Sequence, residues 1–300
     1  MNSSANSKPL VISGGDYVAT LSQTGAALTQ LSYRGEQFCP ERSEETLVSS
    51  YHGSVIAPWP NRIRDGKYRF DGKEYSLPIN ETAGANALHG FSANKRWELE
   101  EKASDSAVFR LELEPTEGYP WSLSLRAQYL VSGEGLRLLF SATGSKHQPF
   151  GWAFHPYLTL PDTKPDSWNL THSANSVMLV DPARLLPVAL AKVEDSDLDF
   201  RAGTSPEIPG LDHAFTDLMF DSQGFTSVQL ESERHRIEMS FDANSPWLQL
   251  HYPNPLLTSV PSLVVEPMSL EPDAFNSRRE QDLLLQDGFA TELRIQITQK

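Results

Sequence analysis

Apolar and polar side chains alternate with a period of two through much of this 300-residue chain, in "SAVFRLELEP" (106–115), "SLSLRAQYLV" (122–131), "LRLLFSA" (136–142) and "HRIEMSFD" (235–242). A period of two puts successive side chains on opposite faces of an extended backbone, so each segment reads as a half-buried strand. Ser132-Gly133-Glu134-Gly135 lies between the second and third segments, and Asp71-Gly72 divides "YRFDGKEY". Both are hairpin turns, because glycine supplies the backbone conformation that a tight reversal demands. The 21 prolines are scattered rather than clustered, which leaves little room for long helices. The nearest helix-like stretches, Pro182 to Val193 and Arg278 to Gln286, are short or proline-broken. The expectation is an all-β, antiparallel, sandwich-type domain over residues 9–300, with a Ser/Asn-rich disordered tail at 1–8.

Charge and cysteine content narrow the function classes. With 39 acidic against 25 basic side chains the net charge is -14, a field that repels phosphate backbones and anionic lipid headgroups. Neither nucleic acid nor a membrane is an expected partner. The first residues, "MNSSANSKPL", lack an apolar signal region, and no apolar run of about 18 residues occurs. A soluble cytoplasmic protein is therefore expected. Cys39 is the only cysteine, which excludes an internal disulfide and cysteine-rich zinc sites. It reads as an ordinary thiol.

Candidate chemistry begins at "GWAFHPYLTLP" (151–161). In extended form Trp152, Phe154, Leu158 and Leu160 share one face, and Ala153, His155, Tyr157 and Thr159 the other. Pro156 holds His155 extended and removes a ladder donor, which suits an edge or concave site. In "SLVVEPMSL", Glu266 interrupts an apolar run and is likewise followed by proline. A carboxylate so placed should have a raised pKa, as a general base working near neutrality needs. His89 in "NALHGF", Asn61 and Arg62 in "PWPNRIRDG", and Asp212 and His213 in "GLDHAF" add polar groups in turn-rich or apolar surroundings.

In chain order, Asn61-Arg62, Leu88-His89-Gly90, His155-Pro156-Tyr157, Leu211-Asp212-His213 and Glu266 followed by Pro272 to Asn276 resemble the aldose 1-epimerase (galactose mutarotase) family. The hairpin "GKYRFDGKEYSLPIN" is similar to that family's stretch after its Asn-Arg pair. The resemblance implies a large antiparallel β-sandwich of the galactose mutarotase type (a supersandwich) and interconversion of the anomers of a free sugar without a metal or organic cofactor. It implies Glu266 as catalytic base, His155 as catalytic acid and His89 as the second active-site histidine. Arg62 and Asp212, with Asn61 and Tyr157, are implied to hold the sugar. Trp59, Phe91, Trp152 and Tyr157 are candidates for a stacking wall. The family's "HPYFNL" and "LHGG" are "HPYLTL" and "LHGF" here, changes beside the acid and base rather than at them.

Other readings use the same residues. A hexose-phosphate 1-epimerase would need a basic cluster, and although Arg62 and Arg64 are close in sequence the overall charge is strongly acidic. A non-catalytic sugar-binding module is compatible with the fold. A metal enzyme would take His89, His155 and Glu266 as ligands. Glycoside hydrolysis would cast Asp212 and Glu266 as acid and base and leave His155 idle. The oligomeric state is not legible.

Overall fold

A computed structural model describes residues 10–41, 48–161, 163–194, 196–253 and 260–300, so the expected tail at 1–8 lies outside the described residues. Two eight-stranded antiparallel sheets dominate. The first runs, in spatial order, Glu98–Lys102, Ser106–Leu113, Leu123–Ser132, Gly135–Gly144, Phe289–Gln299, His235–Asp242, Phe225–Glu231 and Asn169–His172. The second runs Pro187–Lys192, Ser176–Val180, Asp212–Thr216, Trp247–His251, Leu263–Met268, Ala153–Phe154 and Val55–Ile56, with Tyr157–Leu158 also paired to Leu263–Met268. A four-stranded sheet covers Leu10 to Cys39, and two short strand pairs follow, Arg62–Arg64 with Asn86–Leu88 and Lys67–Phe70 with Lys73–Ser76.

The alternating segments form the strands they were read as. In Leu123–Ser132 the side chains of Leu123, Leu125, Ala127, Tyr129 and Val131 are buried while their neighbours are not. They meet the second sheet's Phe154, Leu158, Phe215, Leu248, Leu250, Leu263 and Val265 in one apolar cluster. Full burial of each such side chain stabilises by about 1.5–3 kcal/mol. Both glycine hairpins are present, joining Leu123–Ser132 to Gly135–Gly144 and Lys67–Phe70 to Lys73–Ser76.

Two expectations need correction. The stretch Pro182 to Val193 is not helical: Pro187–Lys192 is the edge strand of the second sheet, held by its ladder to Ser176–Val180. Arg278 to Gln286 contains only a single 3-10 turn, Glu280–Asp282. Proline tolerates an edge strand's first position, where no ladder donor is required of it. No helix among the described residues is long and apolar enough to cross a membrane.

The second sheet has two different faces. Leu263, Val265, Leu248 and Leu250 point into the main core. On the opposite face Ile56, Ala153, Ala214, Trp247 and Met268 form a separate small cluster with Ala93. Strand alternation puts Glu266, Gln249, His251 and Asp212 on that second face. Every residue of Leu263–Met268 is buried, so Glu266 is held in a strand covered on both sides.

Candidate active site

The sequence leaves open why two prolines each follow an ionisable residue in a buried strand. Ala153 pairs with Met268 and Tyr157 with Val264, and the register is unbroken between them. His155 therefore stands directly opposite Glu266. Its backbone bonds point the other way, from His155 N–H to the Ser54 carbonyl and from Gly53 N–H to the His155 carbonyl. His155 and Glu266 are thus a non-hydrogen-bonded pair, the kind whose side chains lie closest. Pro156 and Pro267 occupy the flanking ladder positions and each removes one donor; of the bonds there, Val265 N–H to the Pro156 carbonyl remains at 3.3 Å. The expected alternation through 152–160 holds in direction, but the strand breaks at His155-Pro156 and both faces are buried.

His155 Nε2 lies 3.9 Å from Glu266 Oε2, and His89 Nδ1 lies 3.8 Å from Glu266 Oε1. All three side chains are buried. Glu266 Oε1 has no hydrogen-bond partner among the described residues. A buried carboxylate oxygen without a donor, on the face that also carries His89 and His155, is free to accept from a ligand. Burial, reinforced by the Asp212 carboxylate and opposed by Arg62, pushes the Glu266 pKa well above the usual carboxylate range. Burial likewise lowers His155 to about 3, with His251 adding to the effect. His89 is pushed well below its ordinary value by burial, then by His155 and Arg62. A dry pocket thus favours the uncharged forms of all three.

The pair Arg62–Arg64 with Asn86–Leu88 lays Asn61, Arg62 and His89 against this face. Asn61 and His89 both have left-handed backbones and lock each other: His89 N–H donates to the Asn61 carbonyl at 3.0 Å, and Asn61 N–H donates to His89 Nδ1 at 3.2 Å. That second bond makes Nδ1 an acceptor and puts the ring proton on Nε2. Gly90 is required here, since its φ is 61° and an added Cβ would meet the Ala57 carbonyl oxygen at 2.2 Å.

Arg62 is buried and Arg64 exposed, although a period of two would put residues two apart on one face, and Arg64 pairs with Asp273. Arg62 makes its close ion pair with Glu81, from Nε at 3.0 and 3.1 Å and from a terminal nitrogen at 2.9 Å, while Asp212 is 3.7 Å away. Gln249 links the rest: its amide donates to Asp212 Oδ1 and accepts from Asn61 Nδ2 at 3.2 Å. Glu81 and Gln249 escaped the sequence reading. Gln249 left a signal, a polar residue on a buried strand in "WLQLHY"; Glu81, in a turn, left none.

The aromatic expectations fare unevenly. Trp59 packs edge-on against Phe91, and Trp152 stacks on Phe140 in the core, so none of those aromatics faces the acid and base. Tyr157 touches His155, its ring centroid 5.5 Å away, but its hydroxyl donates to the Ser50 carbonyl. The ring standing over both histidines is Tyr51, 4.7 Å from His89 and 6.3 Å from His155, its hydroxyl accepting from Asn80. His213 sits beside Asp212 on the opposite face of the strand, its Nδ1 accepting the Asp212 N–H. Cys39 is buried with its sulfur 3.5 Å from His52 Nε2.

His89, His155 and Glu266 each offer one ligand atom within 4.8 Å of the others, so their donor types also suit a two-histidine, one-carboxylate metal centre. A groove of about 730 Å³, lined by Arg137, Phe225, Glu238 and Arg294 among others, lies on the first sheet and carries no histidine in its lining. The concentration of buried, pKa-shifted groups marks the Glu266 face as the candidate active site.

A two-sheet antiparallel sandwich with one carboxylate opposed to one imidazole on the sheet face turned away from the main core defines a class of acid/base site that needs both strands in register. The chain belongs to the aldose 1-epimerase family, whose model matches residues 9–298. It is 31% identical to the uncharacterized protein YihR of Escherichia coli K12 over 96% of this chain and 92% of that one. It is 30% identical to the galactose mutarotase of Rattus norvegicus over 55% of this chain and 52% of that one. Its fold matches the crystal structure of the GalM/aldose epimerase homologue from C. elegans with a TM-score of 0.85 at 20% identity, covering 97% and 98% of the two chains. The fold is that of the galactose mutarotases.

Proposed function

We propose that this chain is an aldose 1-epimerase, interconverting the α and β anomers of a free sugar by ring opening and closure. The observation that carries this reading is the opposition of His155 and Glu266 across one strand pair, 3.9 Å apart and sheltered from water. Opening a pyranose removes the proton from the C1 hydroxyl, breaks the C1–O5 bond and protonates O5. Glu266 as carboxylate takes the first proton and His155 as imidazolium supplies the second. The products are an open-chain aldehyde, a protonated Glu266 and a neutral His155. After rotation about C1–C2, Glu266 returns its proton to O1, His155 recovers the one on O5, and the opposite anomer closes.

The pair carries one proton throughout, so no net proton is exchanged with solvent. Burial favours the protonated acid and neutral imidazole, the state that also accompanies the open-chain sugar. Asn61, Arg62, Asp212 and Gln249 form the polar array that would hold the ring hydroxyls, and Tyr51 the wall beside it. Each positioned proton-transfer group contributes roughly 10²–10⁴ in rate.

The test is polarimetric mutarotation of freshly dissolved α-D-glucose and α-D-galactose by wild type and by Glu266→Gln. Acceleration by wild type that the variant loses supports the reaction and the base together. A wild type that accelerates neither these nor other free aldoses would refute the reading.

A further inference from the structure

Glu81 is not required by the acid/base chemistry, yet it is the closest charged partner of the one guanidinium that the described site contains. Its carboxylate takes Arg62 through both oxygens, and the two side chains are only 10% and 20% exposed. Its own position is fixed. Asn86 Nδ2 donates to Glu81 Oε2 at 2.7 Å, the two backbones exchange hydrogen bonds at 3.2 Å, and Asn86, fully buried, accepts in turn from Arg184. Arg184 is itself matched by Asp65, so no spare positive charge reaches Arg62 from that side.

A guanidinium fork alone in a dry pocket binds carboxylate, phosphate and sulfonate groups strongly and bidentately. Here the Nε edge of the fork is taken, and Asp212 Oδ2 stands 3.7 Å from a terminal nitrogen. Nε–H and one terminal nitrogen go to Glu81, and the other terminal nitrogen goes to Asn61 Oδ1 at 3.4 Å. Counting Glu81 and Asp212 against Arg62, the surroundings are net negative even when Glu266 holds its proton and both histidines are neutral. Any substituent on a ring bound between Glu266 and Arg62 lies within about one Debye length of these charges, where poor screening lets a single charge count.

We propose that Glu81 is the specificity-determining counter-ion of Arg62: by occupying the guanidinium it makes the pocket refuse aldoses with an anionic substituent and accept uncharged ones, an inference that rests on the aldose reading above. Glu81 acts through Arg62 and need not touch the sugar.

The experiment compares kcat/KM for D-glucose and D-glucuronate in wild type, Glu81→Gln and Glu81→Asp. Wild type should favour glucose. Glu81→Gln, which keeps an acceptor for Arg62 but removes the charge, should shift the glucuronate-to-glucose ratio upward by at least about tenfold. Glu81→Asp keeps the charge and loses the reach, so its ratio should stay near that of wild type even if both KM values rise. An unchanged ratio in Glu81→Gln, or an equal shift in both variants, overturns the proposal. Should Glu81→Gln not fold, inhibition of wild-type glucose mutarotation by glucuronate and by its uncharged methyl ester carries the test. The ester must inhibit at least about tenfold more tightly; equal inhibition overturns the proposal. Wild type inactive on every free aldose overturns this inference and the reaction reading together, whereas glucose turnover with an unshifted ratio overturns this inference alone.

Discussion

Replacing Glu266 with glutamine should make the protein more stable and nearly inactive, and the gain in stability should grow with pH. Glu266 is buried, its Oε1 has no partner among the described residues, and its pKa is well above the ordinary 4.5. The unfolded chain releases this proton as pH passes 4.5, while the folded chain retains it. The folded state then binds more protons, and stability falls by about 1.4 kcal/mol for each pH unit until the folded pKa is reached. Between 4.5 and neutrality that is at most about 3.5 kcal/mol, or roughly 5 °C in the unfolding midpoint of a chain this long. Glutamine titrates nowhere in this range, and its amide can donate to a neutral His155 imidazole. Thermal unfolding followed by circular dichroism near pH 5 and pH 8 measures the gap between the two proteins; groups common to both cancel. The expected result is a small gap at the lower pH and a clear advantage for Glu266→Gln at the higher one, with mutarotation reduced by roughly 10²–10⁴. A gap independent of pH, or a wild type more stable than the variant near pH 8, would refute the burial argument.

The remaining expectations concern the same face. Because burial keeps His155 neutral until about 3 and raises the Glu266 pKa well above the ordinary carboxylate range, kcat/KM should show no acid limb at the ordinary histidine pKa; such a limb would show His155 to be solvated. Gln249→Leu removes the link between Asn61 and Asp212, so KM for the sugar should rise by about tenfold with a smaller change in kcat, read from initial polarimetric rates. The His89, His155 and Glu266 set is matched against metal by elemental analysis of purified protein and by chelation: activity should survive chelator undiminished, and loss restored by one divalent metal would favour the metal reading.

Much of the site was legible as residues and little of it as geometry. Glu266 stood out because a carboxylate broke an apolar run, and His155 because a histidine and proline broke another. Asn61, Arg62, His89 and Asp212 do gather on that face. Of the four aromatics named for a stacking wall only Tyr157 touches His155, since Trp59 and Trp152 carry the same local pattern whether they face the core or the site. Tyr51 gave no such pattern, standing in a turn just before the Val55–Ile56 strand.

The sequence by itself determined the strands, the glycine hairpins and the chemical types available, because alternation and turn chemistry act over a few residues. Tertiary structure alone decided that His155 meets Glu266, that Arg62 is held by Glu81 rather than mainly by Asp212, and that Gln249 joins Asn61 to Asp212. Those contacts join segments far apart in the chain. A period of two says which side of a strand a residue occupies, but only the register between distant strands says what it faces.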